Sequence, residues 1–374
     1  MSKRRTNIYI VGAGFSKYAG LPLQSDFTEA LLAQRSNTVH PMQPLVAHLG
    51  KFIHDAFDHN ESAKAKHWPN LEDVFTNIDL AANTGHHLGA RHAPSGLRMT
   101  RRVLLARMMY MLNERYLEAE NNKGDDWKNL DNVFKKLDLD RSAFVSINWD
   151  TVIERKLTAR CGVSNFDYRC GAVAAEFRGK GKVIAERVFD ENSRQMPVVK
   201  IHGSVNWLYC DNCRRLYWFP ADDAVRVAMQ LITTQEAKKL KVQRPDDCER
   251  WRCNNCPTVP LTTRLATFSF LKALDFPMFE RSWLSAEQLL RRADRWVFIG
   301  YSLPGADYEF KHLLKRVQLS RNESPEFVVI TGGSPTDCDY TYLNYQRFFG
   351  RDIRRDENFL SEGLSKRAIK AAVE

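Results

Sequence analysis

Four of the eight cysteines form two C-x-x-C pairs, Cys210 with Cys213 and Cys253 with Cys256. Four thiolates at this spacing are typical of structural zinc, and a closed tetrahedral set leaves no position open for a reactive water. Folding of the segment that carries them should depend on the metal. The linker between the pairs is long, and Cys248 could compete for one ligand position. The pairs therefore predict a structural zinc module over residues 209–260.

A second candidate for chemistry is the stretch GAGFSKYAGLP, which follows the apolar run NIYIV. Gly12 and Gly14 would let the backbone turn tightly and approach a phosphate, while the N–H groups of the following helix favour the anion. The dinucleotide fingerprint fails, because Lys17 replaces its third glycine, and no Gly-Lys-Ser/Thr of a P-loop follows. The stretch is a nucleotide loop of another kind or a plain strand-to-helix turn.

Two polar side chains follow other apolar runs, Asn148 after SAFVSI and His202 after VVKI. A carboxamide carries both a donor and an acceptor, and an imidazole titrates near neutral pH and can act as a general base. Taken alone, the asparagine is more often a turn cap at a strand end. A lone histidine is more often a partly buried ring bonded to a backbone carbonyl.

These residues need a scaffold, and the runs NIYIVGAG, SAFVSINWD, QMPVVKIHGSVNW, RWVFIGYSL and EFVVITGG have the composition of strands. The stretches TVIERKLTA and EFKHLLKRV between them have helical periodicity. Alternating strands and helices predict an α/β fold with a Rossmann-like parallel sheet and helices on both faces. Ligands of such sheets bind beyond the carboxyl ends of the strands, where all the candidate residues fall.

The same patterns divide the chain. The sheet domain is predicted to comprise residues 1–35, 131–208 and 261–345, and PNLEDVFTNIDLA and RRVLLARMMYMLNERYLEA predict a helical insertion over 36–130. After the zinc module the chain is expected to end in a charged, weakly helical tail over 346–374, either docked or frayed.

The net charge of +10 and the pI of 9.2 would suit an anionic partner such as a dinucleotide, a nucleic acid or an acidic protein. The alternative is that the excess is spread over solvated faces, because no run of five like charges occurs. No apolar stretch approaches a membrane span, and the basic start lacks the cleavage site of a signal peptide. We therefore expect a cytoplasmic protein without a membrane partner.

Four of these stretches resemble sirtuin motifs and occur in sirtuin order. GAGFSKYAGLP resembles the loop G-A-G-x-S-x-x-x-G-(I/L)-P, SINWD the segment T-Q-N-I-D, KIHGS the segment of the catalytic histidine, and GYSL the strand end G-T-S-L. The first cysteine pair follows the histidine where sirtuins begin their zinc ribbon. The site residues that match are Gly12, Ala13, Gly14, Ser16, Gly20, Asn148, Asp150, His202, Gly300 and Ser302.

The resemblance implies that NAD is the substrate and gives each matched residue a role. Asn148 would hold a ribose hydroxyl and orient a water on the face opposite nicotinamide, and His202 would be the general base. Asp150 would hold the nicotinamide carboxamide, or cap the following helix, or both. Gly300 and Ser302 would contact the ribose or the phosphates.

The motifs are most similar to a divergent bacterial sirtuin-like branch, which often reads (S/T)-x-N-(Y/W)-D, K-(I/L)-H-G-S and F-I-G-Y-S-L-x-x-x-D, the last with Asp307 here. Several of its members destroy NAD in defence against phage, usually in an assembly. The resemblance therefore implies an NAD hydrolase that acts as a homo-oligomer, with a partner defence protein, or both. An off state is expected because unregulated hydrolysis would harm the cell.

Three stretches depart from sirtuin deacylases. Leu23-Gln24-Ser25 stands for Asp/Glu-Phe-Arg, Ile147 for the glutamine before the signature asparagine, and LATFSFLKALDFP for the Val-Phe-Gly-Glu segment that holds the acyl peptide. These departures favour NAD hydrolysis over deacylation. Protein deacylation stays an alternative because the zinc ribbon is intact, and a sensor of NAD or ADP-ribose, or a scaffold, is the third.

Overall fold

The computed structural model describes residues 5–33, 42–58, 68–242, 250–265 and 276–374. Cys248 and most of LATFSFLKALDFP lie outside these ranges. The strands are β1 (Asn7–Val11), β2 (Ser142–Ser146), β3 (Asn165–Asp167), β4 (Ala172–Glu176), β5 (Ala185–Glu186), β6 (Gln195–Lys200), β7 (Trp207–Tyr209), β8 (Leu216–Trp218), β9 (Arg295–Ile299), β10 (Glu326–Ile330) and β11 (Phe359–Leu360). The α-helices are α1 (Ala13–Lys17), α2 (Phe27–Leu32), α3 (Gln43–Phe57), α4 (Leu71–Thr84), α5 (Pro94–Asn122), α6 (Asp125–Lys135), α7 (Val152–Cys161), α8 (Ala224–Met229), α9 (Thr234–Leu240), α10 (Pro277–Arg292), α11 (Tyr308–Leu319), α12 (Pro335–Phe349) and α13 (Lys366–Val373).

The five predicted strands are β1, β2, β6, β9 and β10, and they lie side by side in one sheet. The strand order is β11-β10-β9-β1-β2-β6-β3, and the described pairings are parallel. The three central strands are in register, since Val11 lies opposite Ser146 on one side and Ile299 on the other. The carboxyl ends of the central strands therefore meet at one edge. The predicted α/β fold class with a Rossmann-like parallel sheet is confirmed.

Both faces of the sheet are covered, as expected for strands whose central positions are near-continuous apolar runs. Tyr9 and Val11 point into a core shared with α6, α7 and α13. Ile8 and Ile10 point into a second core shared with α10, α11 and α12. The alternation of the β1 side chains thus divides the helices into two layers.

Helices α3 to α6 follow α1 and α2 in the chain and precede β2, where the sequence predicts a helical insertion. The longest, α5, has 29 residues and packs against α3, α4 and α8. The predicted boundary at residue 130 falls inside α6, which packs against α7 of the sheet domain. These division points stay predictions.

A second, smaller sheet has the order β5-β4-β8-β7. Strands β7 and β8 form the antiparallel hairpin that carries the first cysteine pair, and β4 joins β8 in parallel. The segment with the cysteines therefore shares a sheet with residues that precede the predicted start of the zinc module.

The last residues pack on the main sheet. Strand β11 pairs with β10, and the buried side of α13 consists of Ala368, Ile369 and Ala372. The Tyr9 hydroxyl donates to the Ala372 carbonyl at 3.1 Å. Of the two expectations for the charged end, docking and fraying, the structure has docking, because the apolar residues of α13 recur on one face. None of the described helices has the length and the apolar character needed to cross a bilayer.

Candidate functional site

The loops after β1 and β9 leave the sheet at its carboxyl edge in direct backbone contact. The Gly14 N–H donates to the Gly300 carbonyl at 2.8 Å. A Cβ on Gly300 would lie 2.0 Å from the Phe15 nitrogen, and Gly300 has a φ of +62°. A side chain at Gly14 would also collide, with the Gly300 Cα at 2.8 Å. The packing of the two loops therefore requires both glycines before any ligand is considered, and it occupies the Gly14 N–H that the sequence offers to a phosphate.

The chain changes direction across the sheet at these same two loops. After β1 the chain returns to the sheet at β2 on one side, and after β9 it continues to β10 on the other. Two loops that diverge in this way open a crevice at the carboxyl ends of their strands, and open α/β sheets bind their ligands in such a crevice. The topology thus places Gly12, Gly14 and Gly300 at the sheet edge where open α/β sheets bind ligands, and their contact with a nucleotide stays a prediction.

Asn148, just beyond β2, ties its segment to the β1 loop. Its Nδ2 donates to the Gly12 carbonyl and to the Ser16 Oγ, both at 2.8 Å. In the described part of the chain no hydrogen bond reaches its Oδ1, which is the atom that a bound hydroxyl or water would meet. The turn-cap alternative is not what the contacts show, because the amide bridges two separate strand ends.

Asp150 continues this network. Its Oδ2 accepts from the Ser16 hydroxyl at 2.6 Å, and its Oδ1 accepts from the Val152 N–H at 2.9 Å at the start of α7. Both oxygens are engaged inside the protein, so the capping alternative of the sequence analysis is observed. Its role toward the nicotinamide carboxamide stays a prediction.

His202 lies just beyond β6 and is largely buried, with 7% of its surface exposed. Its Nδ1 is 3.1 Å from the Ile147 carbonyl. A carbonyl only accepts, so in a neutral ring this contact places the proton on Nδ1 and the lone pair on Nε2. The contact is the backbone-carbonyl alternative of the sequence analysis, and the role of His202 as a general base stays a prediction. The contact uses the backbone carbonyl of Ile147, so it does not depend on the side chain at that position.

The loop after β9 is held in an uncommon conformation. Leu303 is buried with a φ of +54°, in the left-handed region that a leucine rarely adopts. The Tyr301 hydroxyl is 3.2 Å from an Asp307 carboxylate oxygen and fixes the far end of the loop. Ser302 itself is exposed, and its carbonyl accepts from the Asn344 side chain at 3.2 Å. Backbone strain of this kind concentrates at ligand-binding sites.

Two of the predicted cofactor-binding residues lie at the outside of this arrangement. Ala13 is exposed at the start of α1. Gly20 has a φ of +80°, and a Cβ there would lie 2.7 Å from the Cβ of Ala119 on α5. The glycine is therefore required where the loop packs on the helical insertion, and its contact with a cofactor stays a prediction.

Next to Asp150 a small concavity of about 10 Å³ opens between the sheet edge, the helical insertion and α8. Its polar lining is Asn113, Asp150, Thr151 and Arg155, and the rest is mainly apolar. The Arg155 guanidinium lies 4.6 Å from the Tyr116 ring centre and donates to the Asn113 side chain at 2.7 Å. Neither Asn148 nor His202 lines this concavity.

A buried ion pair lies directly behind the site and was not anticipated from the sequence. Lys200, the last residue of β6, is 3.0 Å from Glu154 of α7, and their side chains are 0% and 2% exposed. The Tyr168 hydroxyl donates to the same Glu154 oxygen at 3.0 Å. The one available signal was a lysine inside the apolar run VVKI, on the strand that leads to His202.

The four predicted zinc ligands do come together. The Sγ atoms of Cys210, Cys213, Cys253 and Cys256 all lie within 4.8 Å of one another. The Cys213 and Cys253 sulfurs are 3.6 Å apart, close to the edge of about 3.8 Å that a tetrahedron with zinc–sulfur bonds of about 2.3 Å has. The donor set and its spacing fit zinc.

Two side chains from outside the pairs contact these sulfurs. The Tyr217 hydroxyl is 3.2 Å from the Cys253 Sγ, and the Asn212 amide donates to the Cys256 Sγ at 3.2 Å. Tyr217 is fully buried on β8. The Asn212 amide is a donor that would stabilise the charge of a thiolate and orient it toward a metal. The Tyr217 hydroxyl has one proton and also donates to the Asn254 Oδ1 at 2.5 Å.

No protein-family model matches the sequence, and no curated protein sequence matches it either. Among solved structures the chain is similar to one from a study of the mechanism and regulation of Sir2 enzymes, with 13% identity, 99% of this chain and 91% of that chain covered, and a TM-score of 0.39. A Sir2 homologue–NAD complex has 12% identity, coverage of 91% and 90%, and a TM-score of 0.36. A mutant Sir2 homologue with ADP-ribose has 12% identity, coverage of 98% and 90%, and a TM-score of 0.35. These values are too low to assign the chain to that family.

Proposed function

We propose that this protein is a sirtuin-like NAD hydrolase that cleaves the nicotinamide–ribose bond to give nicotinamide and ADP-ribose. One observation carries the proposal: Gly12, Ser16, Asn148 and His202, from three motifs far apart in the chain, are linked at one edge of the sheet. The Asn148 amide reaches the β1 loop at 2.8 Å, and the His202 ring bonds to the residue before Asn148. This edge is where an α/β sheet binds nucleotides.

The reaction needs a site that stabilises a positive charge at C1′ and delivers a water. The C1′–N bond breaks with its electron pair going to nicotinamide, whose ring nitrogen becomes neutral. A water oxygen then bonds to C1′, and one of its protons is taken up by a base. Since nicotinamide is already a good leaving group, the protein supplies mainly orientation and charge complementarity.

His202 is the proposed base, because Nδ1 donates to the Ile147 carbonyl and the lone pair is on Nε2. Asn148 is the proposed positioning group for the ribose hydroxyl or the water through its Oδ1, since both hydrogens of its amide are already donated. Both side chains are thereby held by neighbouring residues in one orientation before substrate arrives.

Incubation of the pure protein with NAD tests the proposal. We expect nicotinamide and ADP-ribose to be released without an acyl peptide, and Asn148→Ala and His202→Ala each to abolish the release. Release only with an acyl-lysine peptide would instead show a deacylase. Tight NAD binding without turnover would show a sensor. Wild-type rates in both variants would contradict the assignment of the site.

Deacylation is the second candidate, because the four-cysteine cluster directly follows the histidine in the chain. Cys210 directly follows strand β7, which begins five residues after His202. The segment that would hold the acyl peptide in a deacylase falls largely on residues 266–275, outside the described residues. The peptide experiment above separates the two activities.

Zinc held by the four cysteines would be structural in this proposal. A closed set of four thiolates supplies a crosslink between the two turns and no open position for substrate. NAD, and not the metal, is then the group on which chemistry occurs.

The biological setting proposed here is bacterial anti-phage defence in an assembly, with an off state that protects the cell. Its support is the sequence resemblance through Asn148, Asp150, His202 and Asp307. Phage infection of cells that carry the wild-type chain or the Asn148→Ala chain, with NAD measured over time, tests it. Equal survival and equal NAD in the two strains would contradict it. A nucleic-acid partner, which the basic net charge would suit, stays a prediction from composition.

A further inference from the structure

The strongest unexplained feature is the buried charge of Lys200, which is 0% exposed. A buried ammonium is unfavourable unless its donors are all matched. Lys200 has three acceptors: Glu154 Oε1 at 3.0 Å, Ser204 Oγ at 2.9 Å, and the Asp150 carbonyl. The third acceptor belongs to the segment that carries Asn148 and Asp150, so the lysine contacts the backbone of the candidate site.

The segment from Asn148 to Thr151 is held from the same side by neighbours of Lys200. The Trp149 carbonyl accepts from the Val205 N–H at 2.9 Å and from the Ser204 hydroxyl at 3.3 Å. The next carbonyl, that of Asp150, accepts from Lys200. Two successive carbonyls are therefore bound by the chain that leaves β6 with His202, so both candidate catalytic residues are anchored through one cluster.

Glu154 completes the cluster from the opposite element. It lies in the first turn of α7, the helix that begins directly after Asp150 and Thr151. Its Oε1 accepts from Lys200 and from the Tyr168 hydroxyl, while its buried Oε2 has no partner among the described residues. A carboxylate left partly unmatched in the core does little to stabilise a fold, since a buried ion pair can often be replaced by apolar side chains without loss.

We propose that Lys200 is a positioning residue of the NAD site, which fixes the Asn148–Thr151 backbone through the Asp150 carbonyl while Glu154 holds the ammonium in place. The expected effect of Lys200 on the hydrolysis rate rests on the proposed function. Its expected effect on the Asn148–Thr151 backbone does not. Lys200 touches no reacting atom in this scheme. A small displacement of a positioned group can lower a rate about 100-fold.

The test uses a neutral double variant, Lys200→Met with Glu154→Gln, which removes both charges and leaves no carboxylate unpaired. The control is Lys156→Met with Asp131→Asn, a buried pair in which the carboxylate also contacts Arg160. That pair is also buried, with side chains 1% and 8% exposed and a separation of 2.7 Å, and Lys156 lies on the same helix α7. The partner of Lys156 is Asp131 on α6, and neither residue makes a described hydrogen bond to residues 148–151.

Two measurements are made on the full-length protein: amide hydrogen exchange of the peptide that spans 148–152, and kcat and KM for NAD hydrolysis. We expect at least tenfold faster exchange and at least a tenfold lower kcat in the Lys200/Glu154 variant, with KM within about threefold and a cooperative unfolding transition retained. The control pair should change neither quantity by more than about threefold.

Exchange that stays at the wild-type rate would overturn the proposal, whatever the activity does. A double variant that cannot fold would also overturn it, because the pair would then be needed for the fold itself. If the wild-type chain does not hydrolyse NAD, the proposed function fails, but the exchange measurement still decides the role of Lys200.

Discussion

The four-cysteine cluster takes its ligands from two short turns, whereas the candidate NAD site takes its residues from strand ends between Gly12 and Ser302. In the cluster the sulfurs face one another within 4.8 Å, and a cation is the group that satisfies all of them. At the sheet edge the polar groups largely satisfy one another, as the Asn148, Ser16 and Asp150 contacts show. The cluster is therefore completed by its ligand, while the edge is organised before a ligand binds.

This difference has a consequence for mutation. Loss of one thiolate removes part of the ligand set that holds a segment together, so the expected effect is on folding. Loss of a group at the sheet edge removes a chemical function from an arrangement that other contacts maintain, so the expected effect is on rate. The following changes test that distinction.

The largest effect is expected for Cys253→Ser, because the free energy of structural zinc binding is on the order of 10 kcal/mol and is available to folding. Cys253 is fully buried in the cluster. We expect loss of bound zinc and of the cooperative unfolding of the β7–β8 segment. Zinc per chain by mass spectrometry and a thermal unfolding curve measure the two.

Cys338→Ser is the matched control for this change, since Cys338 is a buried free thiol outside the cluster. It should keep the metal content of the wild-type chain. A well-folded wild-type protein that contains no zinc would contradict the prediction outright.

His202→Ala is expected to abolish detectable nicotinamide release, since loss of a general base lowers kcat by about 100- to 10,000-fold. The unfolding midpoint should fall only modestly, because loss of the hydrogen bond between this ring and the Ile147 carbonyl costs about 1 kcal/mol. Nicotinamide release at saturating NAD measures the rate. His87→Ala, an exposed histidine in the loop between α4 and α5, is the control. If His202→Ala unfolds, or keeps the wild-type rate, the expected contrast between a loss of rate at His202 and a loss of folding at Cys253 would be absent.

The sequence allowed prediction of those parts of each region that depend on local pattern. The cysteine spacing predicted the cluster, and the apolar runs predicted the five adjacent strands β10, β9, β1, β2 and β6. The two-residue strand β11 was missed because it exists only through pairing with β10. Lys200 and Glu154 were missed because charged residues are ordinarily exposed, and only packing of α7 against β6 buries the pair.

At the candidate NAD site, too, the local sequence pattern could not show which contacts a residue makes. The glycine stretch was interpreted as an approach to phosphate, but Gly14 and Gly300 are also required by the contact between their loops. Gly20 is required by packing on α5. Spacing in a sequence indicates that a small residue is needed, and it does not show which neighbour needs it.

Gly300→Ala tests this contact and should destabilise the protein by on the order of 3 kcal/mol. The new Cβ would lie 2.0 Å from the Phe15 nitrogen and 2.2 Å from the Gly14 carbonyl carbon, and backbone atoms cannot move as a flexible side chain can. Urea unfolding measures the change. Gly305→Ala is the control in the same loop, because nothing lies within 4 Å of a Cβ there. Equal stability of the two variants would show that the β1 and β9 loops do not meet as described.

The smallest effect is expected for Tyr217→Phe, which removes only the hydroxyl that lies 3.2 Å from the Cys253 Sγ. Groups that orient a ligand from behind contribute about tenfold to 100-fold to metal affinity. We therefore expect a chain that folds and binds zinc at saturation but loses it faster to a competing chromophoric chelator. The buried ring stays in place, so the unfolding midpoint with excess zinc should be close to that of the wild-type protein. An unchanged competition curve would mean that the four thiolates alone determine the affinity for zinc. The cluster would then depend on its own ligands and not on neighbouring side chains, which would make its difference from the sheet edge larger.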